Sequence, residues 1–243
     1  MRVVLFGTIP LARKCMELLL ERQDVKLIGV VADSGYETEE ETTIDLALRN
    51  EIPIINMETC RRLEPDLGFS IRFNKILKMS TIRTFKYGIV NLHGGPLPYY
   101  RGSCNNILAI LNNEREFGVS LHYIDEGIDT GDVIAVRYFP LAEEETGYSL
   151  YNKTLEHGID LFEENLDSIL LLQNKRIPQK DLMGNRMHYV SSKKADIQKF
   201  MKLELEVLSE AEVLRRLRAF HFPGKHGVYS LVNERKVLLS LDE

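Results

Sequence analysis

The sequence predicts an α/β protein: an open, mainly parallel twisted sheet with helices on both faces, and a small C-terminal α+β piece ending in a β-hairpin. Three observations carry this. Residues 2–6 (RVVLF) and 25–32 (VKLIGVVA) are apolar, β-branched runs of strand character. Between them Leu11, Cys15, Leu18 and Leu19 recur at helical spacing, and a crossover of that length suits parallel strands. The chain closes on GVYSLV, Asn233-Glu234 and RKVLLSL, two strand-like runs around a two-residue polar turn.

The remaining elements follow in order. An acidic, polar stretch at 34–43 reads as a surface loop; Ile44 to Leu48 begins a helix, and Ile52 to Ile55 is a short strand. LGFSI (67–71) and GIVNL (88–92) are two more strands, with a short helix or turn around Ile76, Leu77 and Ile82 between them. GGPLPYYRG (94–102) cannot be regular structure, because its prolines fix φ and remove donors and its glycines punctuate the run. A helix runs from near Ser103 to about Asn112, and GVSLHYI (118–124) and VIAVRYF (133–139) are strands separated by DEGIDTGD. Leu150, Leu155, Ile159, Phe162, Leu166 and Leu170 mark a long amphipathic helix over 147–172. Asn174 to Gln179 is a turn, and 186–202 is polar, lysine-rich and without clear period. Ser209 caps a helix that runs to about Phe220. This divides the chain into residues 1–185, the sheet-based unit, and 186–243, the appended helix and hairpin.

Composition excludes several classes. Hydrophobic residues are 44% and charged residues 28%, a globular balance rather than a disordered one. The formal net charge is -5, which argues against a nucleic-acid backbone as partner. There is no apolar run of about 18 residues to span a membrane, and MRVVLFGTIP lacks the h-region and cleavage site of a signal peptide. Cys15, Cys60 and Cys104 are odd in number and lack metal spacing, so the expectation is a cytoplasmic protein with no disulfide framework and no metal.

The densest chemical signal is Asn91-Leu92-His93-Gly94-Gly95-Pro96-Leu97-Pro98-Tyr99-Tyr100-Arg101-Gly102. On a strand, Asn91 and His93 share a face. An amide NH2 suits a developing oxyanion, and an imidazole moves protons near neutral pH. Asp125, Glu126, Asp129 and Asp132 offer a carboxylate to orient the imidazole. With no Gly-x-Ser-x-Gly in the chain, the set suits acyl transfer to an amine without a covalent enzyme intermediate.

These residues, with Ile128-Asp129-Thr130-Gly131-Asp132 downstream, resemble the formyltransferases that use N10-formyltetrahydrofolate. The resemblance maps that family's catalytic Asn, His and Asp onto Asn91, His93 and Asp129. It extends to Leu5-Phe6-Gly7-Thr8, to Asn74-Lys75-Ile76-Leu77, which matches the segment lining the folate pocket, and to Arg218-Ala219-Phe220 and Gly227-Val228-Tyr229 late in the chain. It implies donor contacts at Lys75, Leu77 and Ile128, with N10-formyltetrahydrofolate as co-substrate and no metal.

Among the relatives, the resemblance is nearest the short nucleotide-sugar N-formyltransferases. The chain ends too soon after Phe220 for the barrel of a methionyl-tRNA formyltransferase, and Gly7-Thr8-Ile9-Pro10 does not match a glycine- and serine-rich phosphate loop. It implies a dTDP- or GDP-linked 4-amino-4,6-dideoxy sugar as acceptor, O-antigen biosynthesis, and a homodimer with the terminal hairpin as its surface. Candidate acceptor contacts are Lys75, Tyr99, Tyr100 and Arg101, with Arg101 favoured as an anchor of its loop to carbonyls. Phe73, Phe220, Phe222 and Tyr229 are unranked candidates to stack on the base. His122 reads as a satisfied structural histidine, His157, His188, His221 and His226 as surface or turn residues, and Cys104 as a small apolar residue at a helix start. A tRNA enzyme lacking its barrel, a hydrolase of formyl-folate and a non-catalytic folate-binding protein are the alternatives.

Overall fold

The computed structural model describes residues 1–33, 40–184, 187–225 and 227–241. The elements are β1 (Arg2–Phe6), α1 (Pro10–Leu20), β2 (Lys26–Val31), α2 (Thr43–Arg49), α3 (Met57–Arg62), β3 (Leu67–Ile71), α4 (Met79–Ile82), β4 (Ile89–His93), β5 (Tyr100–Gly102), α5 (Asn105–Leu111), β6 (Glu116–Tyr123), β7 (Val133–Pro140), α6 (Gly147–Leu170), β8 (Val190–Ser192), α7 (Glu210–Ala219), β9 (Val228–Val232) and β10 (Arg235–Leu239). Six strands form one sheet in the order β2-β1-β3-β4-β6-β7. The first four are mutually parallel, while β6 is antiparallel to β4 and β7 to β6.

Alternation along β1 shows why both faces are covered. Val3 and Leu5 pack into the larger apolar cluster with Leu11, Cys15 and Met16 of α1 and Phe162 of α6. Val4 and Phe6 pack into a second cluster with Cys60, Leu77, Ile82, Phe85 and Ile89. β3 (LGFSI) is buried throughout, as a central strand covered on both faces must be. Helix starts follow local chemistry: Pro10 opens α1, Thr146 caps α6 through a reciprocal bond with Ser149, and Ser209 caps α7. Asn233 and Glu234 both have positive φ, as a tight two-residue hairpin turn requires.

Two expectations change. Ile52–Ile55 is not a strand: only Ile54 forms a bridge, to Val30. The proline-rich segment 94–102 does hold regular structure at its end, where β5 pairs in parallel with β8. α3, six residues long, is too short to show a helical period in the sequence. Among the described residues after 186, Ile197, Leu203, Ala219, Phe220 and Val228 lie in the same cluster as the sheet and α6. Of the surface loop read at 34–43, residues 34–39 lie outside the described residues, as does His226. Among the described residues, no helix is long and apolar enough to cross a membrane.

Candidate active site

A cavity of about 280 Å³ opens at the carboxyl end of β4, and Asn91, His93 and Asp129 all line it. Asn91 and His93 reach it from alternate positions of β4. Asn91 is directly opposite His122 across the β4–β6 pair. Asp129 arrives by a route that a parallel-sheet reading does not foresee. Because β6 is antiparallel to β4, its last residue, Tyr123, is paired with Val90 rather than with His93. The loop after β6 has to turn back toward the carboxyl end of β4. Asp125 supports that turn, its Oδ1 accepting from Gly127 N–H at 3.0 Å and Thr130 Oγ1 at 2.6 Å.

The carbonyl partners of the two histidines assign their tautomers. His93 Nε2 lies 2.7 Å from the carbonyl oxygen of Tyr100, so it carries a proton and donates it. In the neutral ring the free lone pair is then on Nδ1, 3.5 Å from Asp129 Oδ2. His122 has the opposite tautomer: Nδ1 donates to its neighbour's carbonyl, Tyr123 O, at 2.9 Å. Its Nε2 therefore accepts, and Asn91 Nδ2 donates to it at 3.0 Å. An acceptor at that place selects the NH2 end of Asn91 and leaves one amide hydrogen for the cavity. His122 is thus part of the site rather than only a structural histidine. Asp129 Oδ1 lies 3.5 Å from His122 Nε2, and Asp129 Oδ2 accepts from Gly102 N–H at 2.8 Å.

Burial holds the His93 imidazole below its usual value; Asp129 pulls the other way, and His122 and Arg72 add to the depression. The ring is therefore neutral at pH 7. Burial pushes the Asp129 carboxyl upward, but His93, His122 and Gly102 N–H together hold it well below the usual carboxylate range. Neutral base and ionised acid are the pairing that proton abstraction needs.

Other sequence candidates fall elsewhere. Tyr100 is fully buried, its ring edge-on to Phe117 and its hydroxyl between Glu114 and Asn112, so its side chain is withdrawn from any acceptor. Tyr99 is also buried, its hydroxyl facing Leu182 O at 3.4 Å. Arg101 does anchor its loop, through the Gln179 carboxamide oxygen (Nε at 2.9 Å, Nη2 at 2.7 Å) and the Tyr189 hydroxyl. Lys75 is exposed, Leu77 packs in the second cluster and Ile128 is exposed; none of the three lines the cavity. Of the four aromatic candidates only Phe73 does, and Cys104 is on the wall as well as against the core. His157 is stacked on Phe139, and His188 pairs with Glu114.

Three residues escaped sequence reading. Arg72 lines the cavity. Gln179 Nε2 donates to Asp129 O at 2.8 Å and Gly131 O at 2.9 Å while its oxygen holds Arg101, so one side chain ties both loops of the site together. Asn105 donates to Tyr100 O and Gly102 O from inside the same turn. Only the Asn-x-His register could have pointed to a cross-strand partner such as His122. Among the described residues no group of three or more His, Cys, Asp or Glu is placed to hold a metal.

Comparison with known proteins shows what the chain as a whole is similar to. An N-formyltransferase from Helicobacter canadensis, solved with folinic acid and dTDP-3-aminofucose, superposes with a TM-score of 0.79 at 28% identity, over 97% of this chain and 85% of that one. A 4-N formyltransferase from Francisella tularensis gives 0.81 at 21% identity over 99% and 97%, a likeness of fold. The methionyl-tRNA formyltransferase of Citrifermentans bemidjiense is 32% identical over 195 residues, 74% of this chain and 60% of its own length. The chain thus spans about three fifths of that relative. The model of the formyl transferase family matches residues 1–166, which carry β1 through most of α6 and the whole Asn91–His93–Asp129 constellation. This chain belongs to the formyl transferase family.

Proposed function

We propose that this protein moves a formyl group from N10-formyltetrahydrofolate to the primary amine of a nucleotide-linked deoxyamino sugar. One observation carries the reading: Asn91, neutral His93 and ionised Asp129 meet in one cavity, in a chain whose fold matches a folinic-acid and dTDP-amino-sugar complex over 97% of its length. The residues present suit a flat, partly apolar donor. Phe73 lines the cavity, and Ile76 and Ile128, on the two bordering loops, are 79% and 47% exposed.

Each residue then has a task. The free amide hydrogen of Asn91 donates to the formyl oxygen as the amine adds and the oxygen becomes anionic. His93 Nδ1 takes the proton the amine loses, and Asp129 stabilises the imidazolium. The same proton passes to N10 of the folate as the N10–C bond breaks, so the new amide, tetrahydrofolate and neutral His93 balance the step. Lys75, Leu77 and Ile128 stay proposed as donor contacts through their loops, while Tyr99 and Tyr100 are not proposed as acceptor contacts. A cytoplasmic homodimer serving surface-polysaccharide (O-antigen) synthesis is the setting this reading implies.

The test is formyl transfer to a panel: dTDP- and GDP-linked 4-amino sugars, a dTDP-linked 3-amino sugar and methionyl-tRNA. A gain of one formyl mass on a sugar nucleotide, abolished by His93→Ala, is the expected result. Turnover on the tRNA alone overturns the sugar reading in favour of the activity named for the curated relatives.

A further inference from the structure

The cavity contains one Lys or Arg among the described residues, Arg72, and its surroundings are arranged for a ligand. It follows β3 with φ 52°, a left-handed conformation costly for a side chain of this size. Its guanidinium carbon lies over the Tyr151 ring, 4.9 Å from the ring centre, in cation–π contact. Gly94, next to His93, has no side chain where Arg72 passes: a Cβ there would lie 2.4 Å from Nη1. No carboxylate pairs with Arg72 among the described residues, and the Asp129 carboxylate already accepts from Gly102 N–H. A guanidinium held against a ring without a carboxylate partner has N–H groups to offer, and its planar fork suits two oxygens of one anion.

Resting on the acceptor reading above, we infer that Arg72 is the group that binds the diphosphate of the nucleotide-linked acceptor beside the reacting amine. A sugar ring sets its anomeric phosphate one ring width from a ring amine. The folate's carboxylates are separated from N10 by the whole aminobenzoyl ring. The nearer anion is the acceptor's, and Arg72 adjoins His93 through Gly94. Lys75, the cation expected for this task from the sequence, is outside the cavity.

The probe is inorganic pyrophosphate, which carries the anion without base or sugar. Calorimetry on the intact protein should show it binding, and it should inhibit competitively against the acceptor. In Arg72→Gln its Kd and the acceptor KM should both rise at least about tenfold, with a smaller rise in Arg72→Lys. Melting temperature and 5-formyltetrahydrofolate binding check the fold, and Arg72→Lys serves if the Gln variant is unstable. Wild-type protein that fails to bind pyrophosphate overturns the inference. So does a rise confined to the KM of the folate donor, or a fall in kcat with both KM values and the pyrophosphate Kd unchanged. Absence of turnover on every sugar nucleotide is a failure of the acceptor reading instead, and the pyrophosphate titration still decides whether Arg72 binds the anion.

Discussion

The main-chain N–H of Gly102 donates to Asp129 Oδ2 at 2.8 Å, so the carboxylate that faces His93 is held by backbone from the other loop of the site. Gly102 has φ 84°, and a Cβ there would lie 2.0 Å from the carbonyl oxygen of Ser192. Gly102→Ala therefore strains the backbone and separates β5 from β8. We expect a loss of about 1–3 kcal/mol in denaturant unfolding and a fall in kcat larger than any change in acceptor KM. A variant with wild-type stability and kcat would show that the contact does not position Asp129.

Asn91 and His122 should behave as one unit. Asn91→Ala removes an oxyanion donor and should lower kcat roughly 100- to 1000-fold. His122→Leu removes the acceptor that orients that donor and should lower kcat by a smaller factor. Combining them should cost no more than Asn91→Ala alone, because the oriented group is already gone. Multiplicative losses would mean that His122 acts independently of Asn91.

The pH dependence follows from the depressed His93 value. His93 accepts a proton only when neutral, so kcat/KM should hold as pH falls past the usual imidazole value of about 6.5 and drop only through the lower folded value. Asp129 raises His93, so Asp129→Asn should move this acid limb to lower pH while reducing kcat. Stability has the same sign. Below the unfolded value the unfolded chain takes the proton first, so His93's contribution is present above about pH 6.5 and is lost as pH falls toward the folded value. An acid limb at or above the usual value would contradict a buried, neutral His93.

Gln179 can be split by chemistry. Gln179→Glu keeps an oxygen for Arg101 but sets a second oxygen against the carbonyls of Asp129 and Gly131. Gln179→Leu removes both functions. Each should destabilise by about 1–3 kcal/mol, and the Glu variant should retain the Arg101 link yet lose kcat through a displaced Asp129. Full activity in Gln179→Glu would show that the loop is held without this clamp.

The sheet was legible where one rule acts alone. RVVLF and LGFSI are strands because short runs dominated by large apolar residues suit a buried strand, and those bounds match. The pair Asn91 and His93 was legible because a strand has period two. What was not legible depends on partners far along the chain. β5 is three residues long, and its partner is about ninety residues away, so local proline and glycine signals outweigh it. The antiparallel insertion of β6 decides that His122 faces Asn91, and no local pattern encodes it. Arg72 and Gln179 are ordinary polar residues in sequence, and only the cavity and the two loops they bridge give them meaning.

The pairing of β5 with β8 also changes how the chain can diverge. The family match ends at residue 166, yet Gln179 and Ser192, which secure Arg101, Gly102 and Asp129, lie after it. The reactive groups and the parts that set their spacing are thus encoded in separate stretches. Mutations in the later stretch can retune the width and tilt of the catalytic loop while every shared motif stays intact. Two chains with identical motifs can then differ in the shape of this cavity, and comparison of the motifs alone would rank them as equivalent.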